Sequence, residues 1–414
     1  MAVLLLAGGS LLAAGTGSAN RTSAAASVPV DLDCAGAPSA LTLGVVASLS
    51  SAPGEGAEWK DAANGAVVAA QRFALGGCTV RLVAADDHGT AEGARSALTD
   101  LADSGVAGVV LATSGPHLSA AIDAARSNGL AAILPYPQDA TSIGDDAWLI
   151  APDRARIDTA LASLGTPSTS PTRLLLVNGG GDAPEGLDAE AELRFAPGDP
   201  AGAFIDSVRS HLTGDAPAER VLVSGPAEQQ GAAVGALQSA GASLPLLLTP
   251  DARSPAFAPA LLAAGGTLSG EMSTVGVESG DAVALRGDEA GLAMSAFLAG
   301  VRIAAGDARR TALFDDRPFA DVAASADAPS HDAVVALVRA AARAGSGEPS
   351  AVTAALRGST MGTAEGLAGP PLDFGRRSAL SAALVPLHAT AHDLGLRPRT
   401  AATPLLWFAE QPRP

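Results

Sequence analysis

The 414-residue chain carries 43 acidic against 26 basic side chains, a formal charge of −17, and 48% of its residues are hydrophobic. That length exceeds what one ordinary core organises and suits two domains. So acidic a surface repels phosphate backbones and anionic lipids, and no basic stripe interrupts it, which argues against nucleic-acid binding and docking on anionic membranes.

Residues 2–15, AVLLLAGGSLLAAG, are the one membrane-like stretch, and they are short for a bilayer span. Small residues follow, so 1–26 read as a signal peptide without a basic n-region; a disordered apolar N-terminus is the alternative. Next comes the strand LTLGVVAS (Leu41–Ser48), then a Ser/Gly/Pro loop and a helix starting near Trp59. Its apolar residues Trp59, Ala63, Ala66, Val67, Ala70 and Phe73 recur at helical spacing, which assigns them to the core. A second strand ends in Asp86 and Asp87; a helix, the strand VAGVVLATSG, another helix and the strand LAAILP follow. Gly105 and Gly129 stand where helices give way to strands, which suits a left-handed cap.

Strands alternating with helices, each strand apolar on both faces, predict an open, doubly wound parallel sheet. Ligands bind such sheets outside the carboxyl ends of the strands. That places Ser48–Gly56, Asp86–Gly89, Thr113–His117 and Tyr136–Thr141 on one rim. Cys34 and Cys78 precede the first two strands, at the opposite edge. A disulfide between them would contribute about 4 kcal/mol at most by chain entropy; two unrelated buried thiols are the alternative.

Beyond the polar run Gly165–Pro171 the alternation resumes. RLLLVNGGG (Arg173–Gly181), a helix with Phe204, Ile205, Val208 and Leu212, RVLVSGP, a helix near Ala232–Ala240 and PLLLTPD form a second α/β unit. Gly306–Pro329 reads as an irregular loop, and SAALVPLHA and PLLWFA as two final strands that pair in this unit.

The series GVVASLS, EWKDAANGAVVAA, LVAADDHGTAEGA, GVAGVVLATSG and NGLAAILPYPQDAT, in that order, resembles the branched-chain amino-acid receptor family, the type I periplasmic binding proteins of ABC transporters. The resemblance covers most of the chain. It implies two lobes joined by a hinge: lobe 1 from 41–151 plus 276–368, lobe 2 from 152–275 plus 369–414. It also implies a ligand cleft between them, an ABC permease as partner, and no cofactor or metal.

The resemblance further implies site residues. Thr113, Ser114 and Gly115 match the loop that binds a ligand carboxylate, although both hydroxyls would also serve as helix caps. Asp251 matches the acid that meets a ligand ammonium, or is a loop or cap aspartate. Trp59 matches an aromatic at the cleft mouth. Tyr136 and Gln138 stand where the family has smaller, hydroxyl-bearing residues. The second lobe lacks the family's aromatic contacts, having Gly179–Asp182 and Pro226–Glu228 in their places.

No nucleophile elbow, dinucleotide fingerprint or phosphate loop is present. His388 and His392 are four apart but fall in strand and loop, a poor setting for zinc. The expectation is therefore a non-enzymatic, extracytoplasmic, monomeric receptor for a small polar solute such as an amino acid or amide. The alternative is an exported protein of the same fold used for sensing or partner binding without transport.

Overall fold

In the computed structural model the apolar runs assemble into two separate parallel-based sheets. The structure describes residues 29–136, 143–165, 173–181, 183–197, 201–399 and 405–409. The signal-peptide expectation and Gln138 lie outside the described residues.

The first sheet is built from β1 (Ala40–Ala47), α1 (Gly65–Leu75), β2 (Thr79–Asp86), α2 (Ala91–Asp103), β3 (Val109–Leu111), α3 (Leu118–Ser127), β4 (Ala132–Leu134) and β5 (Ala147–Leu149). Its strands are all parallel, in the order β2-β1-β3-β4-β5. Leu98, Leu101, Leu118 and Ile122 of α2 and α3 bury one face of this sheet. Gly44 of β1 makes the close approach possible: a Cβ there would lie 2.9 Å from Leu101. Gly105 and Gly129 follow α2 and α3 with φ of +70°, in the left-handed region. Cys34 and Cys78 form a disulfide at the amino edge of β1 and β2.

The second unit runs α4 (Arg154–Gly165), β6 (Leu174–Asn178), β7 (Ala191–Arg194), α5 (Ala201–Thr213), β8 (Arg220–Ser224), α6 (Ala227–Ser239), β9 (Leu246–Leu248), α7 (Phe257–Ala263) and β10 (Met272–Gly276). The chain then forms α8 (Glu289–Gly306), α9 (Phe319–Val322), α10 (Ala328–Ala344), α11 (Pro349–Leu356), the short ribbon β11 (Thr360–Met361) and β12 (Leu372–Asp373), and finally β13 (Val385–Thr390) and β14 (Leu406–Ala409). The second sheet has the order β14-β13-β10-β9-β8-β6-β7, with β13 and β14 antiparallel. Thus the two final strands pair where the apolar pattern puts them. β6 and β7 are parallel. Among the described residues their connection contains no helix. Gly179, Gly180, Pro184 and Gly186 account for that, since each costs helical stability.

Two expectations are corrected. The first helix does not begin at Trp59: two 3-10 turns, Ala57–Trp59 and Ala62–Asn64, precede α1. The side chain of Asn64 bonds the Asp61 carbonyl at 3.1 Å and accepts the Leu313 N–H at 2.9 Å, holding the tighter turn. Gly306–Pro329 is not merely irregular, because α9 buries Phe319 completely and Asp327 caps α10 through the Ser330 N–H. Leu372, Phe374, Ala379 and Leu380 belong to the core of the first unit. Trp148 donates its indole N–H to the Phe374 carbonyl at 2.9 Å.

The chain passes between the units after β5, after β10 and before β13. It also sends a strap, residues 391–399, back onto the first unit. There Arg397 grips Asp281 through two bonds of 2.6 and 2.9 Å and donates to the carbonyls of Ala323 and Ala326.

Candidate functional site

The carboxyl ends of β1, β2 and β3 bring Ser48, Asp87, Thr113 and His117 together, all fully buried. The Ser48 hydroxyl lies 2.5 Å from Asp87 and 2.7 Å from Thr113. His117 Nε2 lies 3.0 Å from Asp87, 3.1 Å from Thr113 and 3.3 Å from Ser48. Burial raises the Asp87 carboxyl, but bonds from His117, Ser48 and the Gly89 N–H outweigh it and hold the pKa below the ordinary range. Serine, histidine and aspartate side by side resemble a hydrolytic triad only in composition. A triad needs the acid on one ring nitrogen and the nucleophile on the other. Here both meet Nε2, while Nδ1 has no partner. The group is a loop-fixing network.

Next to it sits Glu58, 5% exposed. Its carboxylate accepts from the Gly56 N–H at 3.1 Å and the Ser114 hydroxyl at 3.3 Å. Gly115 has φ of +114°, which turns this loop toward Glu55. The chain's own carboxylate therefore occupies the hydroxyl-bearing loop. Burial, then the nearby Glu228 and Asp251 carboxylates, push the Glu58 pKa up to about 7. Across the interface the Ser254 hydroxyl donates to the Glu58 carbonyl at 2.8 Å. Asp251 is itself raised by burial, which the charge of Arg154 opposes.

Beside Trp59 residues of both units line a cleft-like cavity of about 660 Å³. Trp59 and Tyr136 wall it from the first unit, stacked with ring centroids 4.1 Å apart and planes 14° apart. The Tyr136 hydroxyl bonds Ser330 at 2.9 Å. From the second unit come Pro250, Ala252, Arg253, Ser254 and Pro255; the connectors at Ile150–Pro152 and Val277–Asp281 and the strap complete the wall. Met294, Phe297, Leu387, Leu394 and Trp407 make the lining largely apolar. Asp327, at the N-terminus of α10, is pushed up to about 7 by burial, against bonds from Ser330 and Tyr136.

The residues expected at a ligand site thus divide. Trp59 and Tyr136 line the cavity. Thr113 is consumed by the buried network, and Ser114 by Glu58. Asp251 lies near Glu58. It caps no helix, because its carbonyl closes a 3-10 turn by accepting the Ser254 N–H at 2.9 Å. Glu58, Arg253, Asp327 and Arg397 were not anticipated. Glu58 adjoins Trp59 and Arg253 follows Asp251 by two, so chain proximity to the chosen residues was the available signal. Among the described residues no cluster of His, Cys, Asp and Glu is arranged to hold a metal.

No model of a known protein family and no curated protein sequence matches the chain. Solved structures do. The chain is similar to the branched-chain amino-acid transporter substrate-binding protein LivJ of Streptococcus pneumoniae, solved with isoleucine: 16% identity, TM-score 0.59, 85% of this chain and 96% of that one covered. It is similar to the leucine-binding protein LivK of Thermotoga maritima, at 14% identity and TM-score 0.60 over 84% and 95% of the chains. A solute-binding protein of an ABC transporter from Rhodopseudomonas palustris, solved with 3,4-dihydroxybenzoic acid, matches at 13% identity and TM-score 0.61 over 90% and 97%. Two α/β units with a cavity lined by both, and likenesses that span most of the chain, give the protein the fold of the type I periplasmic binding proteins of ABC transporters.

Proposed function

We propose that the protein is an extracytoplasmic solute receptor that closes its two lobes on a small ligand and presents it to an ABC permease. The observation carrying this reading is the cavity of about 660 Å³ whose wall comes from both units and from the segments joining them. A ligand touching both walls stabilises the closed arrangement, and the connectors after β5 and β10 are the hinge. The lobes are residues 41–151 with 277–380 and residues 152–276 with 381–390 and 405–409, the strap 391–399 lying against the first. The boundary at 368 moves because residues 372–380 pack in the first core, and Gly276 belongs to β10.

The Cys34–Cys78 disulfide supports an oxidising compartment. The geometry around His117, with acid and serine both on Nε2, lends no support to a hydrolytic role. The ligand is a small solute held in the cavity, with the protein acting as a monomer. Thermal unfolding and small-angle scattering against a panel of amino acids, amides and organic acids test this. A ligand at 100 times its dissociation constant should add about 2.7 kcal/mol and reduce the radius of gyration. If no solute moves either quantity, the receptor reading is wrong.

A further inference from the structure

We propose that the cavity takes an organic acid, a carboxylate on an apolar body, and that Arg253 is its anion-binding group. This rests on the receptor reading above and names the ligand class. A guanidinium presents five N–H donors and keeps its charge inside a protein. Among the described residues Arg253 makes a single hydrogen bond, a long one of 3.4 Å from Nη2 to the Ser279 hydroxyl. Other arginines near the core are bonded differently. Arg72 donates to Val30 and Gly366 carbonyls and to His331. Arg397 makes four bonds, two of them to Asp281. Arg253 is part-buried and none of its nitrogens is a buried atom without a partner, so its unspent donors face the cavity, where a charged solute could complete them.

Its place is set by the backbone. A Cβ on Gly276 would lie 2.6 Å from Arg253 Nη1, so the bare strand end of β10 provides the seat for the guanidinium. Asp327 attracts Arg253 through its charge, but no hydrogen bond joins them. Asp327 spends one oxygen on the Ser330 N–H at 2.9 Å. A planar carboxylate matches the fork of Arg253 in two parallel bonds. The remaining wall, with Trp59, Tyr136 and Phe297, suits an apolar body. Glu58, Glu228 and Asp251 do not line the cavity; of the carboxylates that do, Asp61 is paired with Arg317, Asp281 with Arg397, and Asp393 accepts the Gly395 N–H, which leaves Asp327 as the one acid an amino-acid ammonium could seek there.

The test is calorimetric titration of the purified protein with hexanoate and phenylacetate, their neutral amides, leucine and phenylalanine. At least one acid should bind, and its amide should bind at least tenfold more weakly, about the worth of a charge-assisted bond. Arg253→Gln should lose at least tenfold for the acid and little for the amide, and Arg253→Lys should recover part of the loss. Gly276→Ala, which unseats the guanidinium without removing it, should reproduce the defect; circular dichroism checks each fold. If a variant does not fold, the acid-to-amide ratio of the natural protein decides. Equal binding of acid and amide, preference for leucine or phenylalanine, or Arg253→Gln binding the acid normally each overturns the inference and leaves the receptor standing. No heat and no compaction with any probe overturns the inference and the receptor reading together.

Discussion

A buried polar network and a part-buried arginine are satisfied in opposite ways. On the rim, Ser48, Asp87, Thr113 and His117 bond one another so fully that His117 Nδ1 is the one orphan atom among them. In the cavity, Arg253 has five donors and one long bond. A saturated network rigidifies loops and has nothing left to offer a solute. A charge whose unspent donors face a cavity is where a solute gains most. Residue type alone would have ranked them the other way, since hydroxyls at a strand end look like ligand donors.

The sharpest way to break this contrast is Asp87→Ala. Removing the acid leaves His117 and Ser48 buried without their main partner, and chemical denaturation should show a loss of roughly 3–5 kcal/mol. The folded fraction should still bind its solute with unchanged affinity. A stable variant that has lost binding would move the site to the rim.

Arg397→Ala comes next, because it leaves Asp281, 8% exposed, without its cation. A loss of about 3 kcal/mol is expected, together with rapid proteolysis within residues 391–399, read by mass spectrometry. Resistance of that strap would show that it is held by packing alone.

Glu58→Gln tests the mouth. An acid raised in the folded state contributes stability that is full below its unfolded pKa and is lost as pH climbs through the folded one. For Glu58 that window runs from 4.5 to about 7. Natural protein should therefore lose on the order of 2–3 kcal/mol across it from this group. The variant should be flatter, with a residual slope from Asp327, which titrates in the same range. Melting midpoints at pH 5 and 8 measure this, and equal slopes in the two proteins would contradict the pKa assignment. The smallest effect is Tyr136→Phe, which removes the bond to Ser330 and should cost about 1 kcal/mol while the stack on Trp59 persists. A shift in solute affinity beyond threefold would mean that the hydroxyl, too, faces the ligand.

Much of the first sheet could be read from the chain because its strands are local apolar runs between helices of regular period. The second was harder. β7 follows β6 without a helix, and β10 and β13 pair although more than one hundred residues separate them in the chain, so no window of periodicity contains the contact. Trp59 and Tyr136 stood out in the chain as bulky aromatics at a rim, and both line the cavity. Glu58 was hidden by its neighbour Trp59, and Asp327 by a stretch that looked like loop.

The sequence by itself determined the alternation, the strand faces, the rim and the acidic surface, because these follow from side-chain period and charge within a few residues. Only the tertiary structure decided which polar groups are spent and which are free. Thr113 is spent because β1, β2 and β3 end side by side. Arg253 is left unspent because Gly276, from a different strand, makes room beneath it. Hydrogen-bond satisfaction is a property of neighbours in space, and these neighbours are far apart in the chain.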